Sequence, residues 1–309
     1  MQDNVNLPGD SLEGAARIDP EALAGLDRKR RSEFRRSFDR FKRFKPGVVS
    51  IFFLVILAII ALVPWVFEPY NPNAVDSPMR GEGLSWNHPL GHDILGRDIL
   101  SRTIRGTRVA LAVGIFSMII SLIIGVTIGL VSGYFGGWID TILSRFVDAL
   151  MAFPILVLLI VLAAVLGPSF WMTVIVIGLT VWSTYARVVR ADVLSVRERD
   201  FVLAARAIGA NDQRIIVRHI LPNILGPVIV LATLSVGSII ILEAALSFLG
   251  FGIRPPTPSW GNMLADARGY ITTFPHMAYP PGIMIFLTVL AFNLIGDGLR
   301  DALDPRQRE

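Results

Sequence analysis

Six apolar stretches punctuate the chain, near residues 48–67, 109–131, 143–166, 171–189, 224–248 and 281–297. Coiled as helices, runs of this length cross about 30 Å of hydrocarbon, and the last is the shortest of them. Within the second run Ser117, Ser121, Gly125, Gly129 and Gly133 recur every fourth residue. That is a stripe of small side chains down one helix face, where another backbone can approach closely. The partner expected for it is another helix of the same chain, in a packed bundle. Between the fourth and fifth runs lies VLSVRERDFVLAARAIGANDQRIIVRHILPNILG, a polar stretch far longer than a turn requires. Phe201, Ala204, Ala205 and Ile208 fall at helical spacing and predict a small apolar face. Gly209 follows, the residue type that closes a helix in a left-handed conformation. Asn211 or Asp212 can cap a second helix carrying Ile215, Ile216 and Ile220, which Pro222 is expected to halt. The prediction is helix, tight turn, helix. A short helix with alanines in place of bulky side chains suits a groove in another protein. The rival reading is a hairpin packed only beneath its own bundle.

Composition agrees with a membrane setting: the chain is 53% hydrophobic with a mean hydropathy of +0.58. Cysteine is absent, which excludes disulfides, thiolate metal sites and thiol catalysis in this chain. The first apolar run begins only near Val48 and is too long for a cleaved leader, so no signal peptide is expected. Ahead of it, residues 1–27 carry six acidic residues against a lone Arg17 and read as a disordered acidic tail. Residues 28–46 then turn densely basic, with Phe34, Phe38, Phe41 and Phe44 interleaved three or four apart. These positions predict an amphipathic helix lying on the membrane surface, rings in the acyl boundary and charges on anionic head groups. A nucleic-acid-binding arm is the rival reading, disfavoured because a span starts directly after Pro46-Gly47. Six crossings put both termini on one side. Arginine and lysine crowd the leader, residues 187–218 and the tail, outnumbering Arg80, Arg97, Arg102, Arg105, Arg108, Arg254 and Arg268 on the other side. The excess places both termini and the 190–222 segment in the cytoplasm, although Arg102, Arg105 and Arg108 run against the rule locally.

Few groups offer chemistry. Glu243 falls inside the fifth span, where an acid marks either a translocation path or a buried pair, a structural pairing with an arginine being preferred. Asp140, Arg145 and Asp148 border the third span at spacings that permit local pairing. His88 and His92 with Asp93 and Asp98 could suggest a metal, but Pro89, Gly91 and Gly96 among them read as a tight external turn, and no metal ligand is assigned. Pro255, Pro256 and Pro258 with Trp260 predict a rigid external loop, with Trp260 at the membrane interface. Arg300, Asp301 and Asp304 read as a solvated cap. No G-x-x-x-x-G-K-[ST] loop is present to cradle phosphates.

The stretch around Ala204-Ala205, Gly209 and Leu221-Pro222 resembles the EAA loop of bacterial ABC importer permeases. It departs from that pattern at Leu203, where the usual residue is glutamate, so no salt bridge to an ATPase is assumed there. HPLGHDILGRDILSRTIRGTRVAL from His88, EAALSFLGFGIRPPTPSWGNML from Glu243 and NLIGDGLRDALDPR from Asn293 resemble the peptide-importer subset. The likeness runs from about residue 30 to the end. It is nearest the second permease of the dipeptide, oligopeptide, glutathione and nickel systems. It implies an all-α integral membrane fold, six transmembrane helices of the type I importer kind over 47–309, behind the N-terminal interfacial helix. It implies a second homologous permease, two ATPase subunits and an external substrate-binding protein as partners. It implies a coupling role for Phe201, Leu203, Ala204, Ala205, Ile208 and Gly209. ATP and magnesium would sit on the partner ATPases and no cofactor on this chain, which would be non-catalytic. The expected function is import of short peptides, with glutathione or nickel chelates as alternative solutes. An ion-coupled secondary transporter is the rival of another class; it needs several ionisable groups at mid-membrane, and Glu243 is nearly the only candidate. An intramembrane enzyme is disfavoured because the spans carry no histidine.

Overall fold

The computed structural model describes residues 39–303 of the 309-residue chain. The acidic tail expected over 1–27 and most of the basic helix expected over 28–46 lie outside the described residues. Helical residues 39–43 lead into α1 (Lys45–Leu62), which has Pro46 in its first turn, where a missing N–H costs nothing. A one-turn helix, Pro64–Phe67, extends it. Then follow α2 (Ile99–Phe135), α3 (Gly137–Met151), α4 (Ile155–Leu166) and α5 (Phe170–Arg197). Next come α6 (Asp200–Ala207), α7 (Asp212–Phe248), α8 (Trp260–Ala267) and α9 (Tyr279–Leu303). Among the described residues the only strand-like pairing is an isolated bridge between His92 and Asp98.

Five helices are long and apolar enough to cross a membrane, six if one bent pair counts as a single crossing. That pair covers the run expected as one span over 143–166 and adds a bend to it. It is α3 and α4, bent by 86° at Ala152–Pro154. Pro154 supplies no N–H and drives Phe153 out of helical geometry, so the apolar run turns through nearly a right angle there. The expected stop at Pro222 fails in the opposite sense. The helix widens to π geometry over Ile216–Ile220 and runs on as α7. Pro222 cannot donate to the Arg218 carbonyl four residues back, and the wider turn accommodates that missing bond.

The axis of the molecule is the pairing of α2 with α5, and the small-residue stripe is what permits it. Ser117 Oγ donates to the Val174 carbonyl at 2.9 Å and Ser121 Oγ to the Gly178 carbonyl at 2.8 Å. Further along, a Cβ on Gly125 would stand 2.6 Å from the Trp182 carbonyl oxygen, and one on Gly129 2.8 Å from that of Ala186. No side chain larger than hydrogen fits those two positions, so the backbones meet there. Val109, Val113, Leu159, Val174, Ile177, Ile239 and Leu246 make the central cluster around this pair. On the other flank Leu57 of α1 joins Val236, Ile240 and Trp260. Phe41, expected in lipid, is buried instead: its ring lies where a Cβ on Gly298 of α9 would meet it at 2.8 Å.

Candidate functional site

The segment singled out by its spacing forms a compact hairpin at the end of α2 and α5. Two residues separate α6 from α5, with the Val202 N–H donating to the Arg199 carbonyl at 2.9 Å. It closes at Gly209, whose φ is +82°, with the Gly209 N–H on the Arg206 carbonyl and the Ala210 N–H on the Ala205 carbonyl. Asn211 caps the next helix: its Oδ1 accepts from the Arg214 N–H at 2.9 Å. Helix, left-handed glycine, cap and helix all fall where the residue types predict them.

The faces of α6 differ from the expected ones. Val202 and Ala205 point inward, packed with Val196, Ile215, Ile220 and Ile224. Phe201, Leu203, Ala204, Ile208 and Gly209 are exposed. Ile208 is 86% exposed. Ala205 therefore belongs to the hairpin's own core rather than to its outward face, a correction to the predicted grouping. What remains outside is an apolar patch of Phe201, Leu203, Ala204 and Ile208, set on a helix of eight residues.

Residues outside the predicted set bind this hairpin to the bundle. The Tyr134 hydroxyl, at the end of α2, donates to Asp212 Oδ1 at 2.6 Å. The Arg206 guanidinium lies 5.8 Å from the Tyr134 ring centroid, and Arg197 Nη1 donates to the Gly133 carbonyl at 2.8 Å. Tyr134, Phe135, Arg197, Glu198, Arg206 and Asp212 line a cleft of about 340 Å³ between α2 and the hairpin. One layer further in, Arg190 of α5 makes a two-bond fork with Asp140 of α3 at 2.5 and 2.7 Å, and Arg187 reaches Asp148 at 2.6 Å. Asp140 and Asp148 were expected to pair locally with Arg145; they pair instead across 50 and 39 residues of chain.

The far end of α2 is a second polar structure. Asp93 accepts from the N–H groups of Leu95 and Arg97 and from Arg97 Nε; Arg97 Nη2 reaches Asp266 at 2.9 Å. Arg102, fully buried, donates to the Pro72 carbonyl, and Arg105 forks onto Glu68. Two of the three arginines that ran against the charge rule are therefore folded into carboxylate and carbonyl contacts. The tight turn expected here is present, with φ of 74° at Gly91 and 75° at Gly96. Trp260, expected at the interface, is wholly buried, with Nε1 donating to the Thr103 carbonyl at 3.1 Å. Glu243 is also fully buried; its Oε1 accepts from Ser247 Oγ at 2.7 Å. Among the described residues it forms no ion pair.

Residues 125–309 match the family described as binding-protein-dependent transport system inner membrane component. The chain is a member of that permease family. Residues 32–89 also match the N-terminal transmembrane domain of oligopeptide transport permease C. The permease is 45% identical over 268 residues to a glutathione transport system permease protein of Shigella flexneri, spanning 86% of this chain and 88% of the relative. It is 43% identical over 273 residues to a Brucella ovis protein named as a peptide permease, spanning 88% and 90%. In fold it is similar to the methionine ABC transporter in an inward-facing conformation, with a TM-score of 0.57 at 18% identity, covering 67% of this permease and 98% of that chain. An amino acid ABC transporter gives 0.51 at 17% identity, covering 63% and 91%. The permease is thus a multi-pass inner-membrane subunit of an ABC importer, from a family that is normally non-catalytic.

Proposed function

We propose that this permease forms half of a translocation path for short peptides, glutathione among them, across the prokaryotic plasma membrane. The exposed apolar tip of α6 carries the reading. Val202 and Ala205 anchor the helix to the hairpin's core, which leaves Phe201, Leu203, Ala204 and Ile208 to seat in an ATPase subunit on the cytoplasmic side. Leu203 makes that contact apolar where the family pattern would make it ionic. A second homologous permease completes the path, two ATPases hold the ATP and magnesium, and an external binding protein delivers the solute. Both termini and residues 190–222 face the cytoplasm, supported by the basic excess there and by the burial of Arg102 and the Arg97 and Arg105 ion pairs at the opposite end.

ATP binding draws the two ATPases together and carries α6 with them. Because Tyr134, Arg197 and Asp212 tie the hairpin to α2, α5 and α7, its movement shifts the bundle between inward-open and outward-open arrangements. A peptide-like solute is supported by the names of the relatives, which cover nearly the whole permease. The test is reconstitution of the permease with its partner subunits in liposomes, followed by a ligand screen. Peptides of two to five residues, glutathione and nickel chelates are each offered with the binding protein. Stimulated ATPase activity and uptake with peptides or glutathione are expected; stimulation by a nickel chelate alone would refute the solute class.

A further inference from the structure

The loop that leads into α2 brings three metal-binding groups together. His88, His92 and Asp98 each offer one ligand atom, and these atoms all lie within 4.8 Å of one another. Asp98 is the N-cap of α2: its Oδ2 accepts from the N–H and hydroxyl of Ser101 at 2.8 and 2.7 Å, which aims Oδ1 away from the helix. His88 Nδ1 meets that Oδ1 at 2.9 Å, and its ring stacks on Tyr70 with centroids 4.3 Å apart. The left-handed turns at Gly91 and Gly96 and the bridge between His92 and Asp98 fold the loop so that the His92 ring comes within 4.1 Å of His88, centroid to centroid.

The decisive observation is at His92. The residue is 3% exposed, yet its Nδ1 has no hydrogen-bond partner. A buried imidazole nitrogen without a partner is uncommon, because removing it from water costs more than most folds retain. Asp93, the neighbouring acid, cannot serve, since both its oxygens are taken by Arg97 and by the loop backbone. We infer that His88, His92 and Asp98 form a site for a late first-row divalent cation, zinc being the natural probe. Two imidazoles and one carboxylate are the donor set that such ions favour, whereas magnesium and calcium require mostly oxygen ligands. Ligand atoms on a tetrahedral zinc ion stand about 3.4 Å apart, so the widest separation in the cluster has to close by about 1.4 Å when the ion binds. The His88 side chain remains 18% exposed and marks the entry edge.

The cation would tie the loop to the first turn of α2. The site stands about 55 Å along α2 from the hairpin, by the rise of a 37-residue helix, and does not depend on how the hairpin couples.

The test uses the full-length chain without a polyhistidine tag, purified in detergent, stripped with chelator and dialysed against zinc. The chain has four histidines, so the controls are few. Wild type should retain one equivalent of zinc and melt at a higher temperature with it than without. His88→Gln and His92→Gln should each weaken zinc binding by at least about tenfold and abolish the thermal shift, the range lost even when groups merely supporting a ligand are removed. His219→Gln should bind as wild type, and His276, whose Nε2 meets the His92 carbonyl at 3.2 Å, is left unchanged. Should His92→Gln melt early in chelator, His88→Gln, whose ring reaches the surface, carries the result. No retained zinc, or equal retention by the His88→Gln/His92→Gln double variant, would overturn the site and leave a buried water as the partner of His92.

Discussion

Gly209 is the pivot of the hairpin, and its replacement separates backbone geometry from bulk. A Cβ there meets nothing within 4 Å, so any effect comes from φ of +82° alone. Two hydrogen bonds hold the turn, from the Gly209 N–H to Arg206 and from the Ala210 N–H to Ala205, at 3.0 and 3.1 Å. At about 1 kcal/mol net for each, they favour the turn by roughly 2 kcal/mol over its alternatives. A β-branched residue in the left-handed region costs about 3 kcal/mol, the upper part of the range for such strain. In Gly209→Val the balance inverts by about 1 kcal/mol, and the docking-competent turn falls to roughly one-sixth of molecules. Asparagine tolerates the left-handed region and alanine is intermediate. Uptake into proteoliposomes containing the complete importer should therefore fall in the order Gly, Asn, Ala, Val, with Val near one-sixth of wild type and membrane insertion unchanged. Wild-type uptake by Gly209→Val, or an asparagine variant as weak as valine, would refute the reasoning.

The two sides of α6 should respond differently to charge. Ile208→Glu should leave the melting temperature of the isolated chain unchanged and weaken ATPase binding. Ala205→Asp buries a carboxylate among Val202, Ile215 and Ile220, costs several kcal/mol and lowers both the melting temperature and ATPase binding. Gly129→Ile drives a side chain into the Ala186 carbonyl and Val189; it should lower the melting temperature sharply, at a cost of about 3 kcal/mol or more, read by thermal scanning in detergent. Tyr134→Phe removes the bond to Asp212, worth about 1.5 kcal/mol; solute moved per ATP should drop while ATPase binding holds.

The features readable from sequence were those written in adjacent residues. The apolar runs marked the spans, and the four-residue stripe marked the face of α2 that meets α5, because side-chain size decides how near two backbones come. Isoleucine spacing, Gly209 and Asn211 likewise sufficed for the hairpin, since caps and left-handed turns are local chemistry. Pro154 carried a readable warning that the 143–166 run would break, outweighed by the run's length. Pro222 suggested the reverse error, because a π turn can absorb a missing N–H without ending the helix. Ala205 and Val202 could not be sorted by spacing alone: on an eight-residue helix either face can be drawn as apolar, and only the positions of Ile215 and Ile220 decide. The ion pairs of Asp140 and Asp148, the Tyr134 to Asp212 bond and the burial of Trp260 join residues from 39 to 157 positions apart, and nothing at either end announces the partner.

The account turns on where the tip of α6 faces and what it touches. The chain contains no cysteine, so a single Ile208→Cys substitution gives a unique probe. In the assembled importer, a bifunctional thiol reagent should join that position to an ATPase subunit, with yield changing between nucleotide-free and ATP-bound states. A membrane-impermeant maleimide should label the unassembled variant in inside-out vesicles and leave right-side-out vesicles unlabelled. Labelling only from the outer side, or a crosslink that never includes an ATPase subunit, would contradict it.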